Sequence, residues 1–175
     1  LIRIPAGPFL YGSADSDDLA SDDEKPQRTV NLPEYWIGRS PITNVQYKRF
    51  LDANPGHRVP WRLEDWARPY NWDEVQRVYP LDKADHPVVL VSWDDARAFC
   101  VWAELALPTE EQWEKAARGT DGRIWPWGNK PPTTEHCNFG INVGGTTAVG
   151  KYSPTGDSPY GCVDMAGNVW EWTAS

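Results

Sequence analysis

The chain has 175 residues and a formal net charge of -8 at pH 7, with 40% hydrophobic, 13% aromatic and 24% charged residues. That length holds one domain with a sizeable core, and the aromatic content excludes a disordered chain despite 16 Pro and 14 Gly. The acidic balance argues against a nucleic-acid partner, and no hydrophobic run is long enough to span a bilayer, so no membrane partner is expected either.

In chain order, Leu1–Tyr11 reads as strand, Pro/Gly turn, strand, with alternation in Leu1-Ile2-Arg3-Ile4 and Phe9-Leu10-Tyr11 after Pro5-Ala6-Gly7-Pro8. Ser13–Gln27 is an acidic loop, read as solvated. Thr29–Leu32 and Tyr35–Gly38 are short strands around Pro33. Thr43 and Gln46 form a capping box that starts a helix with Val45, Tyr47, Phe50 and Leu51 on its apolar side, ended by Asn54-Pro55-Gly56. An irregular excursion follows, carrying Trp61, Trp66 and Trp72, with one short helix near Asp73–Val78. Val88–Val91 reads as a buried strand because its apolar run is continuous.

Ser92 caps a second helix whose stripe of Ala96, Phe99, Cys100 and Ala103 faces the core. Pro108 precedes a third helix, opened by the capping box of Thr109 and Gln112 and closed by Arg118-Gly119. Loops dominate from there on, with short strands near Ala148–Tyr152. Trp93, Trp113, Trp170 and Trp172 are expected in the core because an indole buries a large apolar area. Cys100, Cys137 and Cys162 match no zinc spacing, and Cys137 and Cys162 are left open as a pair. His57, His86 and His136 are scattered and read as ordinary polar residues.

Six stretches occur in an order that resembles one family. They are Ile4-Pro5-Ala6-Gly7-Pro8-Phe9 with Gly12-Ser13, Ile37 to Phe50, His86-Pro87-Val88 through Cys100, Leu107-Pro108-Thr109 through Gly119, Trp125-Pro126-Trp127-Gly128-Asn129, and Gly167-Asn168-Val169-Trp170-Glu171-Trp172. Together they resemble the formylglycine-generating enzyme or sulfatase-modifying-factor group. The resemblance implies an α+β, C-type-lectin-like fold for residues 1–175 as one domain, rich in loops, with short strands and about three short helices. The group contains copper- and O2-dependent oxidoreductases that convert a protein cysteine to formylglycine, sulfoxide-synthase domains, and lectin-like binding proteins, so fold alone does not fix function.

Two departures from the family pattern bear on function. The family continues past its Trp-Glu-Trp motif through further strands that hold the catalytic cysteine pair, and none of Cys100, Cys137 or Cys162 matches that pair. Glu104-Leu105-Ala106 stands where the family often has Gly-Arg. The expectation is therefore a non-catalytic ligand- or protein-binding domain with no catalytic residue of its own. The alternative is the larger part of a formylglycine-generating or sulfoxide-synthase oxidoreductase, with copper only if a following segment carries the cysteine pair. The expected partner is that remaining carboxy-terminal segment or another protein chain, covering an open edge and aromatic face.

The resemblance also implies Ca2+. Its ligands would be the side chains of Asp164 and Glu171 with the carbonyls of Gly167 and Val169; a second site would use Asn138 and the carbonyl of Phe139. The competing reading is that Asp164 and Asn168 make local turns and Glu171 pairs with an arginine.

Overall fold

The computed structural model describes residues 1–140 and 142–174. Four short strands form two antiparallel pairs. β1 (Ile2–Ile4) pairs with β4 (Tyr35–Ile37), and β2 (Gly7–Tyr11) pairs with β3 (Arg28–Leu32). The two opening strands thus pair with later strands and not with each other. Three helices follow: α1 (Asn44–Ala53), α2 (Trp93–Trp102) and α3 (Glu110–Arg118), with short 3-10 turns at Asp22–Glu24 and Asp65–Tyr70. Among the described residues no helix is long and apolar enough to cross a membrane.

Each helix begins where its sequence signal lies. Thr43, Ser92 and Thr109 are N-caps of complete capping boxes with Gln46, Asp95 and Gln112. These reciprocal bonds satisfy orphan backbone donors that the first turn leaves exposed. Gly119 closes α3 at φ 71, a conformation that glycine adopts without strain.

Two clusters form the core. Tyr47, Phe50 and Leu51 of α1 pack with Phe99 of α2 and with Val59 and Trp72 from the irregular excursion. Tyr47 and Phe99 stack at 5.7 Å, and Trp72 meets Tyr47 edge-on at 6.1 Å. Such offset and edge contacts are the favourable aromatic geometries. The second cluster joins Ile4 of β1, Ala116 and Ala117 of α3, Cys162 and Met165.

α3 anchors the amino-terminal strands through polar groups. Lys115 is 1% exposed, and its Nζ donates to the carbonyls of Pro5 and Gly7, both at 2.8 Å. Glu114 accepts from the Gly12 amide at 2.8 Å, and Arg118 donates to the Gly12 carbonyl at 3.1 Å. Tyr35 donates its hydroxyl to the Gln112 carbonyl at 2.6 Å, tying β4 to the same helix.

Several expectations are corrected. Asp73–Val78 is a turn closed by a bridge between its ends and not a helix, because Asp73 Oδ1 accepts from the amides of Val75 and Gln76. Val88–Val91 is not a strand: its pairing stops at the Val88 amide, which donates to the Ile42 carbonyl at 2.8 Å beside the Thr43–Pro87 bridge, and Leu90 is left-handed at φ 63. Ala148–Tyr152 forms turns, with Gly150 at φ 71. Trp170 and Trp172 lie outside the core, and Trp93 and Trp113 are half-buried. All three cysteines are unpaired, and Cys100 is half-buried at the edge of the first cluster.

Candidate functional site

One face of the molecule holds an open cleft of about 1300 Å³. Its floor includes Ile42, the segment Val88–Val91 and the α2 residues Ala96, Phe99 and Cys100. Leu105–Pro108 and Trp113 form one wall, and Val169–Trp172 another. Part of the stripe expected to face the core therefore faces this cleft. Five exposed indoles stand around it: Trp36, Trp66, Trp102, Trp170 and Trp172, with Trp170 at 102% and Trp66 at 65%. Of the three tryptophans in the irregular excursion, Trp66 reaches the cleft, Trp72 is 2% exposed within the core, and Trp61 lies elsewhere.

The wall at Val169–Trp172 is fixed by hydrogen bonds. Trp172 donates its indole N–H to the Val91 carbonyl at 3.1 Å, Trp93 donates to the Thr173 carbonyl at 2.8 Å, and the Ala174 amide donates to the Pro108 carbonyl at 2.8 Å. The floor is different. Among the described residues, the amides of Val89, Leu90 and Val91 and the carbonyls of Val88, Val89 and Leu90 make no hydrogen bond. An apolar strip with open backbone groups is the kind of surface to which an extended peptide can add.

A smaller pocket of about 370 Å³ includes His57, Arg58, Trp61 and Arg77. Its cations are already committed. Arg58 pairs with Asp95, and Arg77 donates to the carbonyls of His57, Leu51 and Asn54 at the end of α1. Burial opposes ionisation of Asp95, but Ser92 and Arg58 together hold its carboxyl below the usual range. That cluster is a structural hub.

The residues singled out for a cation fall in the cleft wall, at Val169 and Glu171, and elsewhere in the chain. Asp164 is left-handed at φ 57, and its Oδ2 accepts from the Gly150 amide at 2.6 Å. Glu171 turns its carboxyl inward, where Oε2 accepts from the Trp113 indole at 3.2 Å. Burial pushes the Glu171 carboxyl up to about 7, and the charge of Asp164 pushes it the same way. Burial raises Asp164 as well. Among the described residues Glu171 forms no ion pair with an arginine, against that part of the competing reading.

Gly167, at φ 80, lies so close to the Asn138 carbonyl that a Cβ would sit 2.3 Å from that oxygen. Only glycine fits there, and its carbonyl accepts from the Val169 amide at 2.8 Å. Asn138 is tied into the same network. Its Nδ2 donates to the Gly145 carbonyl at 2.7 Å, and its own carbonyl accepts from the Asn168 amide at 2.9 Å. Asn168 in turn bonds both backbone groups of Thr147. Phe139 is exposed, and its carbonyl accepts from the Asn142 amide at 3.1 Å. Among the described residues no three His, Cys, Asp or Glu side chains converge as metal ligands.

The sequence did not point to Arg39, Arg49 and Arg62, which also line the cleft. They lie at no recognisable spacing, and only the fold brings them to one surface.

The architecture, short antiparallel pairs and three capped helices beside an open cleft, is that of the formylglycine-generating-enzyme fold. Among solved structures the chain matches PvdO from Pseudomonas aeruginosa with a TM-score of 0.79 at 24% identity, over 98% of this chain and 69% of that one. That likeness speaks to fold alone. The chain belongs to the sulfatase-modifying factor enzyme 1-like domain family, whose match covers residues 1–175.

Three similar proteins show how the family divides. The chain is 34% identical to the hercynine oxygenase of Mycolicibacterium smegmatis, over 99% of this chain and 45% of that protein. It is 34% identical to the formylglycine-generating enzyme of Thermomonospora curvata, over 99% of this chain and 70% of that protein. It is 33% identical to the inactive C-alpha-formylglycine-generating enzyme 2 of Bos taurus, over 100% of this chain and 70% of that protein. The chain thus spans about half to two thirds of the length of these relatives, and it is as similar to the inactive one as to the active ones.

Proposed function

We propose that this chain is a binding domain of the family and that its cleft takes an extended polypeptide segment. One observation carries the reading: a floor of half-buried apolar residues with unpaired backbone groups, rimmed by five exposed indoles. Exposed aromatic patches of this kind mark interaction surfaces, and open backbone donors and acceptors favour a peptide over a compact small molecule. Hydroxyl-radical footprinting of the protein with and without an added extended peptide of alternating valines tests it. Protection of Trp66, Trp170 and Trp172 by the peptide supports the reading. Equal reactivity with and without it counts against it.

Calcium belongs to the same proposal. Asp164 and Glu171 are two inward carboxylates with no cationic partner, and the Gly167 and Val169 carbonyls lie between them in sequence. A hard cation suits that donor set and would hold the Val169–Trp172 wall in place. Asn138 and Phe139 bring no carboxylate; the Asn138 carbonyl serves the Asn168 turn, and the Phe139 carbonyl accepts from the Asn142 amide.

A second reading, an oxidoreductase of the formylglycine-generating or hercynine-oxygenase type, is favoured by the 34% identity to both kinds of enzyme. Burial raises the thiol of each of Cys100, Cys137 and Cys162, which suits structural thiols and not metal-ligating thiolates. Copper- and O2-dependent conversion of a cysteine peptide by the natural polypeptide would establish this second reading.

A further inference from the structure

The chain has eleven arginines. Six are in ion pairs with Asp or Glu. Arg77 spends its guanidinium on backbone carbonyls, and Arg97 lies over the Trp93 ring. The remaining three, Arg39, Arg49 and Arg62, have no side-chain partner among the described residues, and all three line the cleft. These three exposed guanidinium groups share the cleft with Glu64 but are not paired with it, so they are open to an incoming carboxylate. A guanidinium presents a rigid fork of donors that fits carboxylates, so the vacant partners point to the occupant.

We infer that the segment bound in the cleft is acidic: an extended polypeptide that sets apolar side chains on Val88–Val91 and carboxylates against Arg39, Arg49 and Arg62. This rests on the polypeptide-binding reading and adds the chemical class of the ligand. The open backbone groups of Val89, Leu90 and Val91 offer donors and acceptors to that polypeptide, while the half-buried side chains of Val88–Val91 offer it an apolar floor. The overall acidity of the chain repels such a segment everywhere else, so the arginines also confer selectivity.

The test uses three extended peptides that share alternating valines and differ only at the intervening positions, which are all Glu, all Gln or all Lys. Affinity is read from tryptophan emission. The Glu peptide is expected to bind about tenfold more tightly than the Gln peptide at low salt, from three partly exposed pairs. That advantage should vanish in the Arg39→Gln, Arg49→Gln, Arg62→Gln triple variant. It should also shrink for the unsubstituted chain in about 1 M salt, where screening acts within about 3 Å. All three arginines are exposed, so the variant keeps its melting temperature, and the salt series decides the matter should it not.

Equal binding of the Glu and Gln peptides, or tightest binding of the Lys peptide, overturns the inference and leaves the polypeptide-binding reading standing. Failure of all three peptides overturns both. Self-association of the chain that blocks peptide binding overturns the inference by making a second copy the occupant.

Discussion

Lys115→Met is the substitution whose consequence the structure defines best. The ammonium is buried and donates to two carbonyls, those of Pro5 and Gly7, both at 2.8 Å. Methionine keeps much of the aliphatic stem and removes both donors. Hydrogen bonds to a charged group are worth about 1.5–3 kcal/mol each, and a buried carbonyl left without a donor costs about 1–3 kcal/mol. Burial lowers the Lys115 pKa, so relief from desolvating the ammonium offsets part of the loss. A net destabilisation of about 2–4 kcal/mol follows, which for a chain of this size lowers the melting temperature by roughly 6–12 °C. Urea and thermal unfolding measure it, with Lys130→Met at an exposed position as the control expected within about 0.5 kcal/mol of the wild type. A Lys115→Met protein that melts within about 2 °C of wild type would refute the idea that this lysine pins the turn between β1 and β2.

Glu171 provides a pH prediction. Its folded pKa, about 7, lies above the ordinary carboxylate value, so the folded state holds the proton more tightly and stability falls as pH rises toward 7. The difference is about 3 kcal/mol between acid and neutral pH in a chelator, and Glu171→Gln should remove it. Calcium should restore wild-type stability at neutral pH and do little for Glu171→Gln; chelator-independent melting of the wild type would remove the calcium proposal. Asn168→Ala removes the side-chain bonds to both backbone groups of Thr147 and should cost about 2 kcal/mol in urea unfolding. Trp170→Ala should leave stability within about 0.5 kcal/mol, because the indole is fully exposed, while weakening peptide binding several-fold.

Helix starts were legible because capping is local chemistry. Thr43, Ser92 and Thr109 each carry the partner they need three residues later. The strands before Gly38 were legible from alternation. Val88–Val91 was not, because a continuous apolar run says that a segment seeks burial without saying what pairs with it, and here the backbone pairing ends at Val88. Asp73–Val78 was misread because an Asx turn outcompetes a short helix. Trp170 and Trp172 belong to a motif that suggests core packing, yet their placement depends on long-range contacts to Val91, Trp93 and Pro108. The cleft arginines were invisible for the same reason: Arg39, Arg49 and Arg62 come together only through the folding of α1 and the excursion after it.

The most direct test of the central claim is an electron-density map of the protein crystallised with the extended peptide of alternating valine and glutamate. The account predicts continuous extended peptide density along Val88–Val91, hydrogen-bonded to the open amides, with an Asp or Glu side chain paired to Arg39, Arg49 or Arg62. A cleft holding only solvent, or one closed by movement of Val169–Trp172 onto Val88–Val91, would contradict it.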